Sequence, residues 1–427
     1  MNSRLRAADL LALVPAAAIP FVFLHARYQP EATLGPVHVF MSDAVIAVVI
    51  VAAIAAGFRF GWRPLVPAWP LWLVAGALLA LFAVSCFWRP LEQTTAHIVT
   101  AAKISEYALL APAVVLLFLQ RAQVDRFILA FVAWGAVASG WAVLQFLGII
   151  NEFEGRRPGQ LEPSFLGNID FAAFSGAVLA VGFAGIALRT NTRVAYLAVV
   201  AGAIGAVIAA QVLPYFGIVL MAIACMLIAR RTNALTRRRA FAVVAITAVV
   251  GVGVLALRSY DTANFLRFLG IKPASKSANA TVQTGSQRTM LAYIGFRIWL
   301  DHPLLGVGFE RSENRYQPYL ADAKRKFPQA AYAFPSKSHP WGVQSLWVQL
   351  LADTGVIGFI LGVATFVIAL ALALRGPPKV APFALVAIGW ILVCVGAWTG
   401  IGIVAGIPLQ AVTWLGFGLA AVVGGLE

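Results

Sequence analysis

The stretch SKSHPWGVQSLWVQLLADTGVIGFIL, residues 336–361, begins as a polar segment and ends as an apolar one. Pro340 suits the first position of a helix, which predicts a helix start there with His339 as its N-cap. The unpaired N–H groups of such a start favour an anion. At helical spacing, a polar stripe runs beside an apolar one and is expected to face a cavity. The polar stripe consists of Ser345, Gln349 and Asp353.

The composition of the whole chain is that of a protein embedded in lipid. The 427 residues are 61% hydrophobic and 11% charged, and the mean hydropathy is +0.85. A soluble domain is about half apolar and about a quarter charged, so the soluble class is excluded and many membrane spans are expected. Cys86, Cys225 and Cys394 lie in apolar runs and are interpreted as buried small side chains, without disulfide or metal-ligand spacing.

Apolar runs between charged or Pro/Gly-containing loops predict an all-α integral membrane protein with about twelve transmembrane helices. The first run resembles a signal peptide but lacks a clean cleavage site, so it is interpreted as a retained helix. The predicted spans lie near 8–25, 42–58, 66–88, 96–119, 126–150, 170–188, 195–210, 213–229, 241–257, 349–374, 381–398 and 402–424.

The short loops predict the orientation of these spans. Lys and Arg fall in alternate loops, which include 59–63, 121–126, 189–193 and 230–239. Basic loops face the cytoplasm, and an even number of spans puts both termini on that side. We therefore expect a multi-pass membrane protein with both termini in the cytoplasm.

Residues 258–340 interrupt the run of spans and form a large outer-face (periplasmic) insert. The insert divides the chain into transmembrane helices 1–9 (1–257), the insert with an amphipathic helix (258–340), and transmembrane helices 10–12 (341–427). It contains twelve Lys or Arg against five Asp or Glu. Such a charge on the outer face predicts an anionic ligand, with contact to lipid headgroups as the alternative.

Within the insert, GSQRTMLAYIGFRIWLDHPLLGVGFE (285–310) predicts a helix that Ser286 caps and that His302-Pro303 ends. Arg288 and Gly295 share one face, and the small residue there lets a neighbour approach the helix backbone. Arg297 lies about half a turn away from Arg288, so one straight helix cannot direct both arginines into one pocket. Gly306 and Gly308 predict a tight turn.

Lys103 and Glu106 lie within a predicted span and share one helix face. Charges at membrane depth are costly and often functional. Two interpretations remain open: the two side chains neutralise each other, or they line a substrate groove.

Three motifs resemble those of the O-antigen ligase family, which includes Wzy-type polysaccharide polymerases and protein O-oligosaccharyltransferases. RTMLAYIGFRIWLDHPLLGVGF resembles its Arg…Trp…Asp-His-Pro-Leu-Leu-Gly-Val-Gly signature, SHPWGVQSLWVQLLADTGVIGFIL its His-Asn…Leu-Gln…Glu-Thr-Gly block, and SFLGNIDFAAFSGAVLAV its Phe-Gly-Asn-Pro-Asn segment. They occur in the order of the family, between about 164 and 361. The resemblance implies a fold like that of GT-C glycosyltransferases and a reaction without a metal or other cofactor.

The sequence departs from the family pattern at three places. Pro340 stands where Asn usually follows the His, and Asp170 where Asn is common. Many members carry a Ser-Arg pair in an earlier outer segment, but the matching residues here, AQVLPYFG (210–217), contain no Arg. Lys337 or Arg156 is the expected replacement for that cation.

The resemblance implies a glycosyltransferase that uses an undecaprenyl-diphosphate-linked glycan and a glycan or lipid A core acceptor, in lipopolysaccharide, capsule or exopolysaccharide synthesis. Arg288 is expected to hold the diphosphate and His339 to act as base. The expected substrate-binding residues are Arg297, Tyr293, Gln344, Lys337 and Asp170. O-antigen ligase is favoured over polymerase. A secondary transporter is a further alternative, although no internal repeat supports it. Nucleic acid is not an expected partner.

Overall fold

The computed structural model describes residues 3–35, 37–87, 94–150, 164–188, 190, 192–259, 271, 285–327 and 342–425. It confirms an all-α membrane protein. The helices are α1 (Ser3–Leu11), α2 (Leu13–Val22), α3 (Met41–Phe60), α4 (Trp69–Phe87), α5 (Thr94–Ala108), α6 (Leu110–Leu117), α7 (Arg121–Phe146), α8 (Asn168–Leu188), α9 (Thr192–Ala209), α10 (Val212–Arg231), α11 (Arg237–Leu257), α12 (Gly285–Asp301), α13 (Gln317–Lys326), α14 (Leu346–Arg375), α15 (Ala381–Trp398) and α16 (Ile407–Gly425).

The spans agree with those predicted from the sequence. Among the described residues, eleven helical segments are long and apolar enough to cross a membrane. The remaining predicted span, 8–25, corresponds to a shorter apolar helix, Ala7–Val22. The short break between α9 and α10 is also confirmed, and Ala210 adopts φ of 49° there.

A short antiparallel hairpin leads into α3, whose first turn binds Lys103. Strands β1 (Glu31–Leu34) and β2 (Val37–Phe40) pair in register from Glu31–Phe40 to Leu34–Val37. Asp43, in the first turn of α3, accepts a hydrogen bond from Phe40 N at 2.8 Å and an ion pair from Lys103 Nζ at 2.8 Å. Lys103 therefore joins α5 to the start of α3, and its bonded partner is Asp43 rather than Glu106.

Helices α8, α15 and α16 are the most enclosed spans of the described bundle. Small residues let neighbouring helices approach closely. Membrane helices depend on such packing because the hydrophobic effect does not drive them together within lipid. A Cβ on Gly202 of α9 would lie 2.6 Å from Leu179 N of α8, and one on Gly217 of α10 would lie 2.6 Å from Leu392 O of α15. Phe127 and Phe131 of α7 pack their rings against Trp390 of α15.

One end of the bundle, here called the site end, is closed by three connecting segments: 164–167, 210–211 and 399–406. Long-range hydrogen bonds hold these segments, or the helix ends beside them, in place. Asp170 accepts from Leu409 N at 2.8 Å, and Arg258 donates to Ala210 O at 2.6 Å. The segment after α12 binds the last turn of α4, where Phe309 N donates to Ser85 Oγ at 3.2 Å.

Helix α14 is broken at Gly355, where φ is 67° and ψ is −166°. A break in a membrane helix leaves backbone groups without helical partners, which must be satisfied elsewhere in the protein. The segment Pro303–Gly308, here called the 303–308 segment, satisfies them. The N–H groups of Val307 and Gly308 donate to the carbonyls of residues 352 and 353 at 2.9 and 2.8 Å.

The same segment also binds the far side of the break. Val356 N donates to Pro303 O at 2.8 Å. A Cβ on Gly355 would overlap the carbonyl of Leu304, and one on Gly306, whose φ is 62°, would overlap the backbone at residue 353. The turn predicted at Gly306 and Gly308 is thus confirmed, and its function is to fit a backbone segment against a broken helix.

We predict that Gly355→Ala destabilises the protein strongly. The backbone of Gly355 lies in a region that only glycine adopts without strain, which costs about 1–3 kcal/mol for another residue, and the added methyl group also overlaps Leu304. The expected result is a clear drop in the apparent melting temperature of the detergent-purified protein.

Gly140→Ala is the matched control, because a Cβ there has no neighbour within 4 Å and Gly140 lies inside α7. Alanine favours a helix over glycine by about 1 kcal/mol, so the melting temperature of this variant should be unchanged or higher. Equal melting temperatures for the two variants would contradict the structural role of the break.

Candidate functional site

Arg288 lies in the first turns of α12 at the site end. Its Nε donates to Gln344 Oε1 at 3.2 Å. Its Nη1 lies 3.5 Å from the place that a Cβ on Gly400 would occupy, and the side chain of Leu213 lies 2.7 Å from the same place. Arg288 is partly exposed. The structure therefore brings together four segments that are distant in sequence: α12, the residues before α14, the α15–α16 connection and the start of α10.

The face of α12 predicted to allow a close approach does so. A Cβ on Gly295 would lie 2.7 Å from Val343 and 2.9 Å from Val348. The segment that leads into α14 therefore packs directly on the backbone of α12. This contact fixes Gln344 beside Arg288.

Tyr293 and Arg297 face another part of the protein. Tyr293 donates its hydroxyl to Asp322 Oδ2 at 2.6 Å, and Arg297 Nε lies 3.7 Å from the same oxygen. The hydrogen bond from Tyr293 holds the pKa of Asp322 below its usual range. The structure thus confirms that Arg288 and Arg297 do not share a pocket, and it does not bring the two predicted ligands Tyr293 and Arg297 to Arg288.

Asp170 is buried and serves the start of α16. Its Oδ1 accepts from Leu409 N at 2.8 Å, and its carboxylate lies against Gly406. A carboxylate at a helix N-terminus satisfies unpaired N–H groups and opposes the positive end of the helix dipole. Asp170 therefore anchors one end of the 399–406 connection, whereas Arg288 lies at its other end beside Gly400.

The polar stripe of α14 does not face a cavity, contrary to the sequence prediction. Gln349 Oε1 accepts from Ile403 N at 2.6 Å, and Asp353 is fully buried. These side chains point into the protein because backbone groups of nearby non-helical segments need hydrogen-bond partners. Gln410 Nε2 donates to Ile403 O at 3.0 Å and completes the hydrogen bonding of that residue.

Asp353 binds the segment that follows the 303–308 segment. Its two oxygens accept from Glu310 N at 3.0 Å and from Ser312 N at 2.9 Å. Glu310 adopts φ of 56°, which is rare for a residue other than glycine. Burial, reinforced by Asp353 and Glu313, raises the pKa of Glu310 to about 8. Sequence reasoning missed this carboxyl cluster, since no spacing rule relates residue 310 to residue 353.

The start of α14 differs from the sequence prediction. Residues 342–345 are not helical, and the helix begins at Leu346 with Ser345 as N-cap residue. His339 is therefore not the N-cap of this helix. The contacts of Val343 with Gly295 and of Gln344 with Arg288 explain the later start, because they hold this segment against α12. His339 itself and Lys337 and Arg156 lie outside the described residues.

Arg258 is a further cation that sequence reasoning did not select. Its Nε donates to Ala210 O at 2.6 Å, where α9 gives way to α10. The same break contributes Leu213, which contacts Gly400. Arg258 thus lies beside the segment in which the motif comparison found no Arg. Ala210 and Arg258 are 48 positions apart in the sequence, and no sequence pattern relates them.

A comparison with protein families agrees with this geometry. A family model described as O-antigen ligase matches residues 176–363. The match runs from α8 to the first half of α14 and includes Arg288, Gln344 and the 303–308 segment. No curated protein matches the chain. The chain therefore contains a domain that matches the O-antigen ligase family, which supports the resemblance seen in its motifs.

Proposed function

We propose that the chain transfers a glycan from an undecaprenyl-diphosphate-linked donor to an acceptor hydroxyl on the outer face of the bacterial inner membrane, most like an O-antigen ligase. The observation that carries the proposal is the position of Arg288 within the matched domain. Its guanidinium is partly exposed at the site end of the bundle and has the side chain of Gln344 as a partner. A lipid headgroup that reaches this end would meet a cation suited to phosphate.

The proposed reaction exchanges one C–O bond for another. The acceptor oxygen bonds to the anomeric carbon, the bond from that carbon to the phosphate oxygen breaks, and the diphosphate leaves with the electron pair. The leaving group needs cations, and the acceptor hydroxyl needs a base for its proton. Stabilisation of the developing charge is usually the larger contribution to catalysis. Arg288, which can bind two phosphate oxygens in a planar fork, is proposed for this role.

Arg258 is proposed as the second cation for the leaving diphosphate. It binds Ala210 at the first residue of the α9–α10 break. Leu213, at the other side of the break, contacts Gly400, against which Arg288 lies. The two guanidiniums thus flank one short segment. This position supports Arg258 in place of the expected cations Lys337 and Arg156.

His339 is proposed as the base. Imidazole titrates near neutrality and can accept the proton of the acceptor hydroxyl. Gln344, which binds Arg288, follows His339 by only five residues, so the chain keeps the histidine within about 17 Å of that contact. In this role His339 does not cap α14, which begins at Leu346.

Two alternatives use the same sequence features. A Wzy-type polymerase would share the donor and differ in the acceptor, another lipid-linked repeat. A secondary transporter would account for a broken helix, since such helices line transporter sites. In α14, however, the 303–308 segment binds the backbone on both sides of Gly355, which favours a fixed structural break. Transfer of lipid-linked glycan, measured against solute flux in the same proteoliposomes, separates the two classes.

We predict the orientation of the protein as follows. A cysteine at Ala321, exposed on α13, should react with a membrane-impermeant maleimide applied from the periplasmic side. A cysteine at Asn233, exposed between α10 and α11, should react only after the inner membrane is opened. The reverse pattern would contradict an outer position for residues 258–340.

We predict that Arg288→Lys lowers glycan transfer by about 10²–10³-fold, because lysine keeps the charge but loses the planar fork. The measurement is turnover of a purified lipid-linked donor, with the melting temperature as a check on folding. Arg315→Lys, in the turn before α13, is the matched control and should retain full turnover. Full turnover in Arg288→Lys would remove this residue from the site.

His339→Ala should lower turnover by about 10²–10⁴-fold, the usual effect of losing a general base. Donor affinity should change little, because the arginines hold the diphosphate. Turnover and donor binding are measured separately on the purified variant. Normal turnover would show that the base is another residue, whereas loss of donor binding would assign the histidine to the diphosphate.

A further inference from the structure

One face of α12 carries large apolar side chains that the described protein does not cover. Phe296 and Leu300 are 43% and 47% exposed, and Leu304, just after the helix, is 64% exposed. The opposite face is buried in a small core of its own. That core includes Met290, Ile294, Ile298, Val307 and Ala352. We call the exposed set, Phe296, Leu300 and Leu304 with Trp299, the α12 stripe.

The α12 stripe continues the lipid-facing side of α14. Leu304 O accepts from Ile357 N at 3.5 Å. Ile357 and Ile360 are 43% and 58% exposed on α14. The part of α14 after the break, residues 356–375, has the length of about 20 residues that a bilayer core needs. The membrane-crossing part of α14 therefore starts near the break, and Leu304 lies at the level where the helix leaves the hydrocarbon.

The chemistry around the stripe suits a membrane–water interface. The centroids of the Phe296 and Trp299 rings lie 5.1 Å apart. Trp299 Nε1 donates to Pro303 O at 3.1 Å, so the polar N–H group of the indole is satisfied within the protein. Aromatic residues concentrate at this depth of membrane proteins. Beside the stripe, α13 ends in Lys324, Arg325 and Lys326, all exposed.

We propose that the α12 stripe rests in the lipid leaflet on the site side, with the basic end of α13 over anionic phospholipid headgroups. Apolar side chains enter the acyl boundary while neighbouring cations bind phosphate, as in interfacial helices. Because Arg288 belongs to the same helix, this contact fixes its depth relative to the membrane surface. The proposal concerns lipid contact and does not depend on glycosyl transfer.

The test uses a nitroxide at Leu300→Cys in the full chain, reconstituted in nanodiscs of phosphatidylethanolamine and phosphatidylglycerol. Power saturation compares collisions with oxygen, which partitions into lipid, and with a water-soluble nickel chelate. Label at Ile360→Cys gives the lipid reference, and label at Ala321→Cys on exposed α13 gives the water reference. The native cysteines Cys86, Cys225 and Cys394 are buried, and the unsubstituted protein serves as the blank.

Label at 300 should resemble label at 360, with high oxygen and low nickel accessibility, and label at Leu304→Cys should give the same result. Nickel accessibility equal to that at 321 would overturn the proposal. Dipolar broadening that disappears on dilution with unlabelled protein would also overturn it, because a second copy of the chain would then cover the stripe.

Discussion

The insertion of the 303–308 segment into the break of α14 is the contact on which the rest of the site depends. A helix broken within a membrane protein exposes carbonyl and N–H groups whose burial without partners costs several kcal/mol. Here the chain supplies partners from Pro303–Gly308, on both sides of Gly355. Two glycines permit this fit, since any side chain at Gly306 or Gly355 would overlap the facing backbone. The two family motifs are therefore two halves of one interlocked structure.

This interlock determines the position of α12. The helix ends at Asp301 and passes directly into the 303–308 segment, so its end is tied to the middle of α14. Near its centre, Gly295 packs against Val343 and Val348. Arg288 lies about two helical turns before Gly295 in the same helix, where it binds Gln344. The break at Gly355 thus sets the place of a cation that is 67 residues earlier in the chain.

The sequence allowed the spans, the end of α12 and the glycine turn to be predicted, because each depends on local composition or on proline and glycine geometry. It did not allow the start of α14 to be predicted. Pro340 favours a helix start, but the contacts of residues 343 and 344 with α12 delay it to Leu346. The prediction that the polar stripe faces a cavity was wrong for a similar reason. The periodic pattern shows that Gln349 and Asp353 share a helix face, but it does not show that backbone N–H groups of distant segments bind there.

The partners of the buried polar side chains distinguish structural from functional roles. Asp170, Gln349 and Asp353 each accept hydrogen bonds from backbone N–H groups of distant segments. If a ligand drew one of these side chains away, a buried N–H group would lose its acceptor. The ligand would then have to offset the full cost of that unsatisfied group. The Nε of Arg288 instead donates to a side-chain amide oxygen, that of the partly exposed Gln344. If the proposed diphosphate took the place of that oxygen, no backbone N–H group of the interlock would lose its acceptor, and the interlock would still hold α12 in place.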